Sequence, residues 1–214
     1  TLESTMDQLH TSGYFQTPIY QINKQQFVEP AIEVFDDFVK CQCNKNELYP
    51  SIMTGDMLSD ERILPFAQYV IDTAYNVLVA QGYKMDDKIT YFHSMWGQQH
   101  EKYGDMDEHV HSDNVQIVGF YFLECPEDCP KMVIHDPRPG KVLLGITEAD
   151  PKIITQATNA AVFQPQPGSL FFSNAWLPHS FTRHASDKPL KFVHFNLTVQ
   201  VAQQACVMPA AEVI

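Results

Sequence analysis

The spacing of apolar residues changes near Gly82. Upstream, the period is helical. Ile32, Phe35, Phe38 and Val39 share one side of a segment over 30–40, and Pro30 suits its first turn. Ile63, Phe66, Ala67, Val70, Ile71, Ala74, Val77 and Leu78 form a longer stripe that predicts a helix over 62–81, capped by Ser59 or Asp60 and ended by Gly82. Residues 15–22 read as a short strand that Pro18 places at a sheet edge, and the Cys-, Asn- and Gly-bearing stretch 41–58 reads as a loop.

Downstream, the character is that of strands. Residues 88–96 are β-branched and aromatic, as strands are. Further short runs lie near 115–124, 131–136, 141–144, 152–156, 160–164, 169–173, 179–183 and 191–199, separated by Gly and Pro. The pattern predicts a mainly β fold with flanking helices, a double-sheet sandwich or jelly roll built from about residue 88 onward and covered on one face by the two helices. The first 14 residues and the Ala-rich stretch 203–214 read as peripheral.

A chain of 214 residues predicts one domain over 1–214, and 44% apolar residues supply a sizeable core. The formal charge of −12 argues against a nucleic-acid backbone as partner, since that contact depends on basic side chains. No run of 18 apolar residues predicts a membrane span, and no charged start leading into an apolar core predicts a signal peptide. Five cysteines, an odd number, point to free thiols and a cytoplasmic setting, rather than to a zinc site made of Cys41, Cys43, Cys125 and Cys129. A homodimer is compatible with all of this.

The chemistry concentrates at His109, His111 and Asp113, which run directly into the most strand-like segment. Residues two apart in a strand face the same way, so His111 and Asp113 can reach one ion together, and so can His109 and His111. A further histidine, His179, follows the strand-like run 169–173. Two imidazoles and a carboxylate on one face of a metal form the ligand set of non-haem Fe(II) oxygenases. The set His111, Asp113 and His179 fits that description, with His109, His111 and His179 as the alternative.

The chain also resembles the 2-oxoglutarate/Fe(II)-dependent oxygenase superfamily, in a branch common in marine bacteria and their phages. The resemblance rests on Phe15-x-Thr17-Pro18, Trp96-Gly97, the histidine-rich run into Gly119-Phe120-Tyr121-Phe122-Leu123, and Asp136-Pro137-Arg138. It continues through 167–172, Leu177-Pro178-His179 and Phe195-Asn196. It implies a double-stranded β-helix, a cupin-like jelly roll with iron at one open end. It implies His111, Asp113 and His179 as the iron ligands, and Fe(II), 2-oxoglutarate and O₂ as the reacting partners. The implied activity is that of a dioxygenase that hydroxylates a small molecule or a protein side chain and releases succinate and CO₂.

The family's usual arginine on the last strand falls here on Leu190, beside Lys191. Arg138 and Lys191 are therefore the candidates for the far carboxylate of 2-oxoglutarate, with Arg183 a lesser one, and Tyr121 is a candidate hydrogen-bond donor to the same molecule. His109 is placed beside the metal or facing substrate, and Asn196 shares a strand face with His194. Two other classes remain open. A cupin-like metal enzyme that uses no 2-oxoglutarate would be favoured by a shell that includes His109, and a non-catalytic jelly-roll binding module by failure to hold iron.

Overall fold

A computed structural model describes residues 10, 12–42, 44–46 and 50–202. The predicted peripheral stretch 203–214 and most of 1–14 lie outside them, as does Cys43. The elements run β1 (Tyr20–Asn23), α1 (Val28–Gln42), β2 (Asn44–Asn46), β3 (Ser51–Asp56), α2 (Leu64–Ala80), β4 (Lys88–His100), β5 (Met106–His109), β6 (Ile117–Glu124), β7 (Met132–His135), β8 (Ala160–Phe163), β9 (Ser169–Asn174), β10 (His179–Phe181) and β11 (Leu190–Val201).

The strands form two antiparallel sheets, one in the order β1-β9-β6-β11-β4-β3-β2 and one in the order β5-β10-β7-β8. The central strands of the large sheet are buried on both sides. Along β6 and β9 the runs Ile117–Leu123 and Ser169–Asn174 contain no exposed residue, which is why they read as continuous apolar or small-residue stretches rather than as alternation. Tyr121, Val193, Phe195 and Phe172 point toward the helices, where Phe35, Phe66, Val70 and Ala74 meet them. Phe120, Phe122, Phe171 and Phe192 point the other way, toward Met132, Ile134 and Phe181 of the small sheet. A fully buried Phe contributes about 2–3 kcal/mol by transfer alone, so these two layers fix which face each strand presents. Gly119 lies where a Cβ would collide with the Phe195 ring and the Phe171 carbonyl, and glycine alone lets β6 sit this close.

The long apolar run Glu61–Ala80 meets the length and composition of a membrane span, yet its residues Phe66, Ala67, Val70, Ala74, Val77 and Leu78 are buried on the sheet. Gly82 ends the helical segment with φ of 88°, as its sequence position predicts.

Several predicted boundaries need correction. Residues 41–58 are not a loop throughout: they carry β2 and β3, which extend the large sheet beyond β4. Their polar composition hid them, because β3 is held by backbone pairing and by Thr54 Oγ1 accepting from Gly97 N at 2.8 Å rather than by an apolar face. Residues 139–144 form a 3₁₀ turn instead of a strand, ended by Gly145 at φ 60°, with Leu143 and Leu144 exposed. Residues 152–156 form turns, and the opening strand is shorter than predicted, starting at Tyr20. β1 does lie at the sheet edge.

Candidate metal centre

β5 and β10 pair so that His109 stands opposite His179. After His109 the chain leaves the sheet, and the amide of His111 donates to Ala175 O at 2.9 Å, which swings its ring back toward both. The side-chain nitrogens of His109, His111 and His179 come within 4.8 Å of one another. His179 is fully buried, and the other two are half-buried.

Hydrogen bonds settle which nitrogen two of the rings offer. His109 Nδ1 donates to Asp107 O at 2.8 Å, and His179 Nδ1 donates to Leu177 O at 3.0 Å. A carbonyl only accepts, so each Nδ1 carries the proton and each Nε2 keeps its lone pair. The Nε2 atoms of His111 and His179 are buried without a partner. Burial, reinforced by neighbouring His109, pushes His111 down to about 4. Burial likewise pushes His179 down to about 4, against the raising effect of the Leu177 carbonyl. The His111 and His179 imidazoles are therefore neutral at pH 7, the form a metal binds.

His194 forms the inner wall. It stacks at 4.3 Å from both Trp96 and Phe120 and lies 5.2 Å from His111 by ring centroid. Neither of its ring nitrogens has a partner. Asn196, on the same strand face, donates from Nδ2 to Ser94 Oγ at 3.1 Å, and its Oδ1 is buried without a partner. Both residues thus reach the site, as their strand positions predict.

Asp113 does not join the cluster among the described residues. The alternation expected of a strand stops at His111, because Asp113 and Asn114 form a turn with φ of 57° and 64°. That turn is pinned to β11 by Asn114, whose carbonyl accepts from Thr198 Oγ1 at 2.6 Å. Asp113 is left exposed.

The structure also places the four co-substrate candidates elsewhere. Arg138 is an exposed side chain forked onto Asp136 at 2.9 and 2.7 Å. Lys191 lies on the helix side of β11, between Asp36 at 2.9 Å and Glu124 at 3.3 Å and over the Phe35 ring. Tyr121 also faces the helices, donating to Lys24 O at 2.6 Å and packing on Phe66. Arg183 is exposed beside Asp105. Strand alternation puts Lys191 on the face opposite His194 and Asn196, and the same parity argument, counted from Phe120 and Phe122, puts Tyr121 on the helix side.

Residues 94–196, just under half of the chain, match a family model described as "Putative 2OG-Fe(II) oxygenase". No curated protein matches the sequence significantly. Among solved structures, the non-heme alpha ketoglutarate dependent epimerase SnoN from nogalamycin biosynthesis superposes with a TM-score of 0.63 at 10% identity, over 92% of this chain and 85% of that one. A Pseudomonas putida prolyl-4-hydroxylase gives 0.61 at 8% identity, over 85% and 92%. HygX from Streptomyces hygroscopicus, solved with nickel and 2-oxoglutarate bound, gives 0.57 at 10% identity, over 85% and 83%. At such identities the likeness establishes the fold, a double-stranded β-helix.

Proposed function

We propose that this chain is an Fe(II)- and 2-oxoglutarate-dependent oxygenase, an oxidoreductase that hydroxylates a small molecule or a protein side chain and releases succinate and CO₂. The observation that carries this reading is the convergence of three histidines at one open end of the β-helix, at least two with Nδ1 committed to a carbonyl and Nε2 bare. His109, His111 and His179 would hold the metal, leaving its remaining positions for ligands. When bound, the iron supplies the oxygen chemistry, and the protein supplies position and a dry wall. His194, Trp96 and Phe120 close the inner side against water, with Asn196 on the same strand face as His194. The family-model match over 94–196 and the names of the structural neighbours support the same reading. Cys41, Cys125 and Cys129 are free thiols, which suits a reducing, cytoplasmic setting.

The comparisons do not favour the alternatives, but these remain separable by experiment. His109 in the cluster suits a cupin-like metal enzyme that works without 2-oxoglutarate. Anaerobic reconstitution with Fe(II), followed by succinate measurement across a substrate panel with 2-oxoglutarate and O₂, separates the two. One iron per chain with succinate formation is expected. Stoichiometric iron without succinate for any substrate would move the chain to the second reading, and no retained iron would leave a binding module.

A further inference from the structure

Beneath the metal-end histidines the barrel is filled. Phe120, Phe122, Phe181 and Phe192 stack ring against ring at 5.2–6.0 Å, and the gap left among Val118, Phe120 and Ile134 has no room for a water molecule. On the outer side of His111 the packing opens into a cavity of about 340 Å³, between the C-terminal end of α2 and the ends of β9 and β11. That volume lies at the lower end of the small-molecule range. Leu78, Met85, Val115 and Val199 form its walls, and Trp176 and Tyr83 stand partly exposed at its edge.

The polar groups around this cavity are already committed elsewhere. Gln116 donates from Nε2 to Asn114 Oδ1 at 3.1 Å and accepts at Oε1 from Val199 N at 2.7 Å. Asn174 exchanges two hydrogen bonds with Gln81, at 2.9 and 3.0 Å. Lys88 holds its ammonium on exposed Asp87 at 2.8 Å, and Lys84 is itself exposed. These two offer the cavity their methylene stems and leave their charges in water. A carboxylate set against such a lysine gains little. Each methylene group buried against the walls gains about fourfold in affinity. Area outweighs charge here, and the occupant that fits is apolar.

We propose that this cavity binds the apolar body of a neutral small molecule, a branched chain or a ring, and holds one of its C–H bonds beside His111 at the metal centre. The assignment rests on the oxygenase reading above and narrows it, selecting an apolar small molecule from the substrate classes named there.

The test uses the full chain loaded with Zn(II), which occupies the histidines without turnover, and follows tryptophan fluorescence because Trp176 lines the cavity. The probes are the straight primary alcohols from butanol to octanol, with hexanoate as the charged counterpart of hexanol. Affinity should climb about fourfold per methylene and stop rising once the chain outgrows the cavity. Hexanoate should bind no more tightly than hexanol. Val115→Phe and Val199→Phe fill the cavity from two different elements. Either should weaken hexanol binding by roughly tenfold or more, with zinc stoichiometry and melting temperature kept. A flat series in the wild type, or hexanoate bound more tightly than hexanol, overturns the assignment. Succinate release from the iron-loaded chain, with 2-oxoglutarate and O₂, separates this result from the reading beneath it. Succinate that rises with the alcohols in the order of their affinity supports both. Succinate formed with a leucine-bearing peptide but with no alcohol overturns the small-molecule assignment and leaves the oxygenase reading standing. Alcohols that bind as expected, with iron held and no succinate from any substrate, sink the oxygenase reading and keep the cavity as an apolar ligand site.

Discussion

Two pairs of histidines on this β-helix have their hydrogen bonds the opposite way round. At the metal end, His109 and His179 spend Nδ1 on a carbonyl and leave Nε2 bare. Near the other end of β4, His100 accepts at Nε2 from Gln98 at 3.0 Å, and His184 donates from Nε2 to Lys188 O at 2.8 Å. There it is Nδ1 that lacks a partner, on both rings. His100, His184 and His179 are equally buried, at 0% exposure. Burial therefore does not mark a metal ligand. What marks it is which nitrogen the local backbone has already taken, and whether the free ones converge.

The largest effect that could break this contrast is loss of the metal itself. His179→Ala should abolish stoichiometric binding, a fall in Zn(II) affinity beyond the roughly 100-fold typical of losing a supporting hydrogen bond. His100→Gln should leave the affinity within about twofold, since a residue outside the ligand set changes nothing the ion touches. Calorimetric titration of both variants decides it. Equal losses would mean that the two histidine pairs are not distinct.

A somewhat smaller effect sharpens the boundary of the cluster. His109→Ala should weaken Zn(II) binding by on the order of 100-fold, while Asp113→Ala should change it by about twofold at most. The reverse ranking would restore the His-x-Asp set that the sequence suggests and would mean that the 113–114 turn rearranges around the ion.

These outcomes bear on how much could be read from the chain. The jelly roll was legible because β6, β9 and β11 are dense in Phe, Val and Leu and are separated by Gly or Pro. His111 and His179 were legible as a pair by chemistry and separation, and both lie in the cluster. The place of Asp113 was not, since two consecutive left-handed residues look like strand when only side chains are counted. Asn114 was the available signal, being a residue type that accepts positive φ. β2 and β3 escaped because backbone pairing at a sheet edge leaves no apolar trace. The cavity beside His111 could not have been read at all. It joins the end of α2 to Trp176 and Val199, which lie far from it in the chain, and only the fold brings them together.

The smallest expected effect concerns pH. Burial, with His184 close by, pushes His100 down to about 4, although Asp105 acts in the opposite direction. In the unfolded chain an ordinary histidine takes a proton near 6.5. Between those values the unfolded state holds more protons than the native state, so stability rises with pH through this window and falls as the solution is acidified. Below about 4 the native ring also titrates and the difference stops growing. Above 6.5 neither form is charged and the contribution is constant. From pH 7 to pH 5, His100 alone should cost the native state about 2 kcal/mol. Glutamine at this position keeps a partner for Gln98 and cannot be protonated. Urea unfolding at the two pH values, with a chelator present so that the metal-end histidines contribute equally to both proteins, should therefore show a loss smaller by about 2 kcal/mol in His100→Gln than in the wild type. An identical acid loss in the two proteins would mean that the His100 ring gains a partner or water in solution, and the contrast between the two ends of the barrel would then rest on the metal alone.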